Sequence, residues 1–129
     1  MDKKDYPKKK AKNDNYETDS WIKAMFDGWF DPCPLNPCWV TNGLLIDWPN
    51  KTFVNPPYSD PYPWVEKAIE TSTIGCTVVM LLKHDTSTRW WRRLHEANAK
   101  FLPIMGRLQY GTGKSAAFPS VLVVLEAIK

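Results

Sequence analysis

Apolar and polar positions along the chain alternate in blocks that predict short strands separated by helices. Residues 1–15 carry no apolar period and read as a disordered tail, and the pattern begins at Tyr16. Trp21, Ile22, Met25 and Phe26 fall at helical spacing. They predict a first helix near Asp19–Phe26, capped by Thr18 or Asp19 and ended at Asp27-Gly28. Trp29-Phe30 is long enough to close a strand before Asp31. Residues 32–43, with three prolines, two asparagines and a glycine, predict a loop. A short segment, Leu44–Trp48, and a turn at Pro49-Asn50 follow. Thr52-Phe53-Val54 reads as a strand. Ser59-Asp60-Pro61 then starts a helix whose apolar face is Trp64, Val65, Ala68 and Ile69, ended by Gly75. Cys76–Leu82 is almost wholly apolar, as a central strand covered on both faces would be. His84-Asp85-Thr86 would cap a helix over Ser87–Asn98. Lys100–Met105 and Ser120–Leu125 read as strands around a glycine-containing loop at 106–119. Strands alternating with helices of this length predict an open, mostly parallel α/β sheet, with ligands at the carboxyl ends of its strands. Asp31, Asn55 and the Lys83–Asp85 segment all fall at such ends.

Length and composition narrow the picture. At 129 residues, 43% hydrophobic, the chain suits one domain over 16–129 behind the tail. No apolar run approaches the ~20 residues of a membrane helix. The N-terminus lacks the apolar core of a signal peptide. Three cysteines argue for reduced thiols and a cytoplasmic setting rather than a disulfide framework. Cys33, Cys38 and two histidines make no metal pattern, so no metal is expected.

Charge is unevenly placed. Residues 3–12 hold six Lys and one Asp. Removing these from the chain's 17 basic and 14 acidic residues leaves 11 against 13, a slightly acidic body. A basic tail containing Lys8, Lys9 and Lys10 suits nucleic acid phosphates, or serves only solubility. Arg89, Arg92 and Arg93 on the helix expected over Ser87–Asn98 are phosphate-contact candidates, or a solvated face. Arg107, Tyr110 and Lys114 sit on the 106–119 loop, where they suit groove entry or a displaced strand. Trp90 and Trp91 suit packing better than base stacking.

The chemistry concentrates in Asn55-Pro56-Pro57-Tyr58, placed between a strand and a helix. An exocyclic amine on a nucleobase is a poor nucleophile, because its lone pair is delocalised into the ring. A side-chain amide oxygen and a neighbouring backbone carbonyl can both accept hydrogen bonds from such an amine and favour a pyramidal nitrogen. Asn55 and the carbonyl of Pro56 offer those acceptors. Pro56 and Pro57 fix the backbone and remove competing N–H donors. Tyr58, with Trp64 beside it, offers a ring to an extruded base. The plain alternative is a rigid strand-to-helix turn. Likewise, Asp85, Thr86 and Thr88 either cap a helix or line a site beside Asn55.

Taken together, the chain resembles the phage-type, Dam-related DNA N6-adenine methyltransferases over about residues 16–125. The resemblance rests on Tyr16-Glu17-Thr18, Phe30-Asp31-Pro32-Cys33-Pro34, Gly43-Leu44 with Asp47-Trp48, Asn55–Ser59, Thr77–Leu82, Asp85–Trp91, Gly106-Arg107-Leu108 and Phe118-Pro119-Ser120, all in the family's order. It implies a Rossmann-like core that uses S-adenosylmethionine and methylates adenine N6 in double- or single-stranded DNA. It further implies cofactor contacts from Tyr16, Thr18, Asp31, Cys33, Pro34 and Asn55. Asp31 would lie near the methionine end or bind the ribose hydroxyls, unless it is only a turn residue. Three departures stand out. Asp19 replaces the family's proline after Thr18, no F-x-G-x-G loop is present, and only 23 residues separate Asp31 from Asn55. A sheet reduced in strand number is therefore expected, with an exposed edge that a second copy or a partner subunit would cover. N4-cytosine, RNA or glutamine amino-methylation, or a silent nucleic-acid-binding module, remain open alternatives. If phage-encoded, the chain would act in the host cytoplasm.

Overall fold

The structure is a computed structural model that describes residues 18–34, 42–108 and 118–128. Tyr16, Lys8–Lys10, Cys38, Tyr110 and Lys114 lie outside the described residues. Three helices, α1 (Ser20–Met25), α2 (Tyr62–Thr73) and α3 (Arg89–Glu96), accompany four strands: β1 (Thr52–Val54), β2 (Val78–Lys83), β3 (Lys100–Pro103) and β4 (Ser120–Leu125). The sheet order is β1-β2-β4-β3. β1 and β2 are parallel, with Phe53 opposite Val79. β4 runs antiparallel to both β2 and β3. β1, β2 and β3 thus point the same way, and β4 enters between β2 and β3 against them. The expected mostly parallel sheet is corrected to a mixed one, with one parallel ladder of three. Among the described residues no helix lies between β3 and β4.

Strand alternation sorts the core into two layers. Val54, Val78, Met80, Leu82, Val121 and Val123 face α2 and α3, where Trp64, Val65, Ala68, Ile69, Trp90 and Leu94 meet them. Phe53, Val79, Leu81 and Leu122 face the other way, toward Ile22 of α1 and Leu108. The second layer is thinner. Of the α1 stripe only Ile22 is buried, while Trp21 and Met25 remain exposed and Phe26 stacks on Phe53 at 4.6 Å. α2 buries all four residues of its expected face. It begins after Pro61, and Gly75 takes a positive φ of 96° just beyond its end. β2 is buried from Val78 to Leu82, as its apolar run requires of an interior strand.

The N-terminal side of the sheet is short. Phe30 makes a single parallel bridge to Thr52, donating its amide to Lys51 O (3.1 Å) while its carbonyl accepts from Phe53 N (2.8 Å). Beyond it the chain is held by turns. Asp31 Oδ1 accepts from Cys33 N, and Asn42 Oδ1 from Leu44 N. The Trp48 indole donates to Gly43 O at 2.7 Å and stacks on Trp64. Gly43 is obligatory here: a Cβ would lie 2.0 Å from Pro32 O. Among the described residues no helix is long and apolar enough to cross a membrane.

Candidate functional site

Because β1 and β2 are parallel, Asn55 and Lys83–Asp85 leave the same edge of the sheet. The antiparallel β4 brings its start to that edge as well, since Ser120 pairs with Lys83. His84 N donates to Pro119 O (2.9 Å), which ties the segment before β4 to the end of β2. The bridge at Phe30 places Asp31 beside them. Arg107 follows β3 at the same edge. One rim therefore gathers Asp31, Asn55–Tyr58, Lys83–Asp85, Arg107 and Phe118.

Asn55 is 9% exposed, and its Nδ2 donates to the Thr18 hydroxyl at 2.9 Å. That bond crosses 37 positions of sequence. Pro56 and Pro57 are buried behind it, and Tyr58 is half-buried. The Tyr58 ring meets Phe118 edge-on at 5.0 Å, and Lys83 Nζ lies 5.7 Å over Phe118. On the opposite face of the sheet, Arg89 lies 5.0 Å over the Tyr62 ring at the start of α2. Asp31 is exposed, and Cys33 is buried as a free thiol.

The segment after β2 is more structured than its sequence suggests. The cap of α3 is Thr88, whose hydroxyl accepts from Trp91 N, rather than His84-Asp85-Thr86. Asp85 accepts from the Ser87 hydroxyl (2.5 Å) and amide (3.0 Å), so it forms a turn one step earlier. Those two donors, with Lys83 adding a smaller attraction, hold the Asp85 carboxyl below its ordinary range. Trp91 stacks between His84 and Phe101, and Trp90 is buried, so both tryptophans pack. Arg93 pairs with Glu66 of α2 at 2.8 Å, and Arg92 reaches Glu96 at 4.0 Å. Of the three arginines on α3, Arg89 is the one over Tyr62, four residues beyond Tyr58.

Sequence reasoning passed over Lys83 and Phe118 as site residues. The signal was present in Phe118-Pro119 preceding a strand. Its meaning depended on β4 being antiparallel, because a parallel β4 would start at the far edge.

Comparison with known proteins identifies the family. The family description "DNA N-6-adenine-methyltransferase (Dam)" matches residues 7–120, most of the chain. The chain belongs to that family. A DNA N-6-adenine-methyltransferase of Haemophilus phage HP1 (strain HP1c1) is 48% identical over 52 residues, which span 39% of this chain and 30% of that relative. No solved structure matches. Within the family the rim is the candidate active edge, and its Asn55–Tyr58 turn is the part the fold holds most firmly.

Proposed function

We propose that the chain transfers a methyl group from S-adenosylmethionine to the N6 amine of an adenine extruded from DNA, on a Rossmann-like core of reduced strand number. The observation that carries this reading is the Asn55 amide, held by Thr18 at the carboxyl end of β1 in a member of the Dam family. With Nδ2 committed to Thr18, the amide is oriented so that Oδ1 serves as its acceptor end. In this reading Asn55 Oδ1 and the Pro56 carbonyl take the two amine hydrogens. They draw the nitrogen toward a pyramidal shape with its lone pair exposed. The buried Pro56 and Pro57 keep those acceptors fixed, so they need not reorganise as charge develops on nitrogen. Tyr58 stacks on the extruded base, and its contact with Phe118 holds the ring in place.

The residues beside Asn55 fit the methyl donor. An exposed carboxylate, Asp31, stands one bridge from Asn55, and its chemistry suits ribose hydroxyls or a cationic amine. In this reading Tyr16, Thr18, Asp31, Cys33 and Pro34 surround the donor. When bound, S-adenosylmethionine supplies a sulfonium methyl whose S–C bond breaks as the N–C bond forms. The proton left on the methylated nitrogen passes to water. Lys8–Lys10, Arg107 and Lys114 add phosphate contacts.

The test is identification of the product nucleoside after incubation with labelled donor and mixed-sequence single- or double-stranded DNA. N6-methyladenine is the expected product. N4-methylcytosine would keep the mechanism and replace the base. No labelled nucleoside, with no donor binding, would leave a silent binding module.

A further inference from the structure

Five described cations are held in two different ways. Three of them, away from the Asn55–Tyr58 turn, pair with carboxylates. Arg93 pairs with Glu66 (2.8 Å), Lys100 with Glu126 at the far end of the sheet (2.7 Å), and Arg92 with Glu96 (4.0 Å). Beside the turn two cations rest on aromatic faces instead: Lys83 over Phe118 and Arg89 over Tyr62. Both are exposed, and neither forms an ion pair among the described residues. Asp85, the nearest acid in sequence to Lys83, accepts from Ser87 and feels only a smaller attraction from Lys83, with no ion pair between them.

The difference matters physically. A carboxylate cancels a cation's charge and must be displaced before a phosphate can bind. A ring face positions the cation, at a gain of about 0.5–1 kcal/mol at exposed sites, and leaves the charge intact. The two positions also bracket the turn. Lys83 shares a strand face with Val79 and Leu81, on the side of α1, and reaches Tyr58 through Phe118. Arg89 opens α3 on the other side of the sheet, over the first residue of α2.

We propose that Lys83 and Arg89 form a two-sided clamp on the phosphodiesters flanking the extruded nucleotide, each cation pre-positioned on an aromatic ring that belongs to, or touches, the Asn55–Tyr62 segment. This rests on DNA being the substrate. A clamp of this kind reads the backbone and carries no base identity. It grips the strand where the target leaves the stack, which suits a small chain with a short or relaxed recognition sequence.

The experiment is a salt titration of binding to a labelled mixed-sequence DNA duplex, without methyl donor. Lys83→Ala and Arg89→Ala are each expected to lower the slope of log affinity against log salt by about 0.9. Lys83→Arg and Arg89→Lys are expected to keep it. Lys100→Ala, at the far edge, is expected to leave it unchanged. In turnover with duplex, the two alanine variants should raise KM and spare kcat. Unchanged slopes in Lys83→Ala and Arg89→Ala, an equal fall in Lys100→Ala, or no duplex binding by the unaltered chain would overturn the clamp. Slope losses without any methylated adenine would instead overturn the enzymatic reading and leave the clamp standing. Methylated adenine with unchanged slopes would do the reverse.

Discussion

The two sides of Asn55 are built differently. C-terminal to it, three strands and two helices join β1 in burying a continuous apolar layer, and the turn that carries Asn55 grows directly out of β1. N-terminal to β1, the described chain contributes one short helix, a single bridge at Phe30 and a set of turns pinned by Asp31, Asn42, Gly43 and Trp48. The first region positions the groups assigned to the target base. The second holds those assigned to the methyl donor. The contrast teaches that a rigid strand end suffices to orient one amide, whereas the donor side depends on a few local contacts. The bond from Asn55 to Thr18, the Phe30–Thr52 bridge and the Trp48–Trp64 stack join the two.

The contrast can be broken most forcefully in the well-packed half. Trp64 is 1% exposed and packs between the sheet and Trp48. Replacing it with alanine should cost about 3–5 kcal/mol. A urea melt should show this as a lower midpoint for the whole transition, with the donor side lost alongside it.

Gly43→Ala probes the turn-built half. The new Cβ would meet backbone, Pro32 O, at 2.0 Å, so the turn must shift. A cost of about 1–3 kcal/mol is expected. Calorimetric titration should show weakened donor binding while duplex binding is retained. Equal loss of both would mean the two regions are not separable.

Thr18→Val sharpens the link between the halves. It keeps the shape and removes one hydrogen-bond acceptor from the buried Asn55 amide, at a cost of about 1–3 kcal/mol. A fall in kcat of about tenfold, with duplex affinity unchanged, is the expected kinetic result. An unchanged kcat would show that Thr18 does not position the amide.

The smallest effect concerns Asp85. Its carboxyl ionises below the ordinary value of 3.8 because Ser87 stabilises the charged form. The folded chain therefore binds that proton less tightly than the unfolded one. The contribution is present above 3.8 and is lost as pH falls through the lowered value. Thermal melts of Asp85→Asn should fall off slightly less steeply than the unaltered chain's on the acid side, and should differ little at neutral pH.

What the sequence revealed follows the same divide. Cys76–Leu82 and the Trp64, Val65, Ala68, Ile69 face were legible because full burial leaves unbroken or periodic apolar runs. The direction of β4 was not, because Ser120–Leu125 is apolar on both faces whichever way it runs, and Phe118 was overlooked as a consequence. The α1 stripe overstated burial. Trp21 and Met25 fit a helical period, yet this helix is too short and its layer too thin to cover them. The hydrogen bond from Asn55 to Thr18 carries no local signature, since its partners are 37 residues apart. The Asn55–Tyr58 turn itself was legible, because its chemistry is carried by consecutive residues.

The central claim is that the Asn55 amide holds the target amine. It is tested most directly by assaying Asn55→Ala for methyl transfer to duplex DNA, alongside a melt showing that the variant folds. The account predicts a loss of about 10²–10³ in kcat, the scale for removing one preorganised polar group, with duplex binding preserved. A folded Asn55→Ala chain that methylates DNA at the unaltered rate would contradict it.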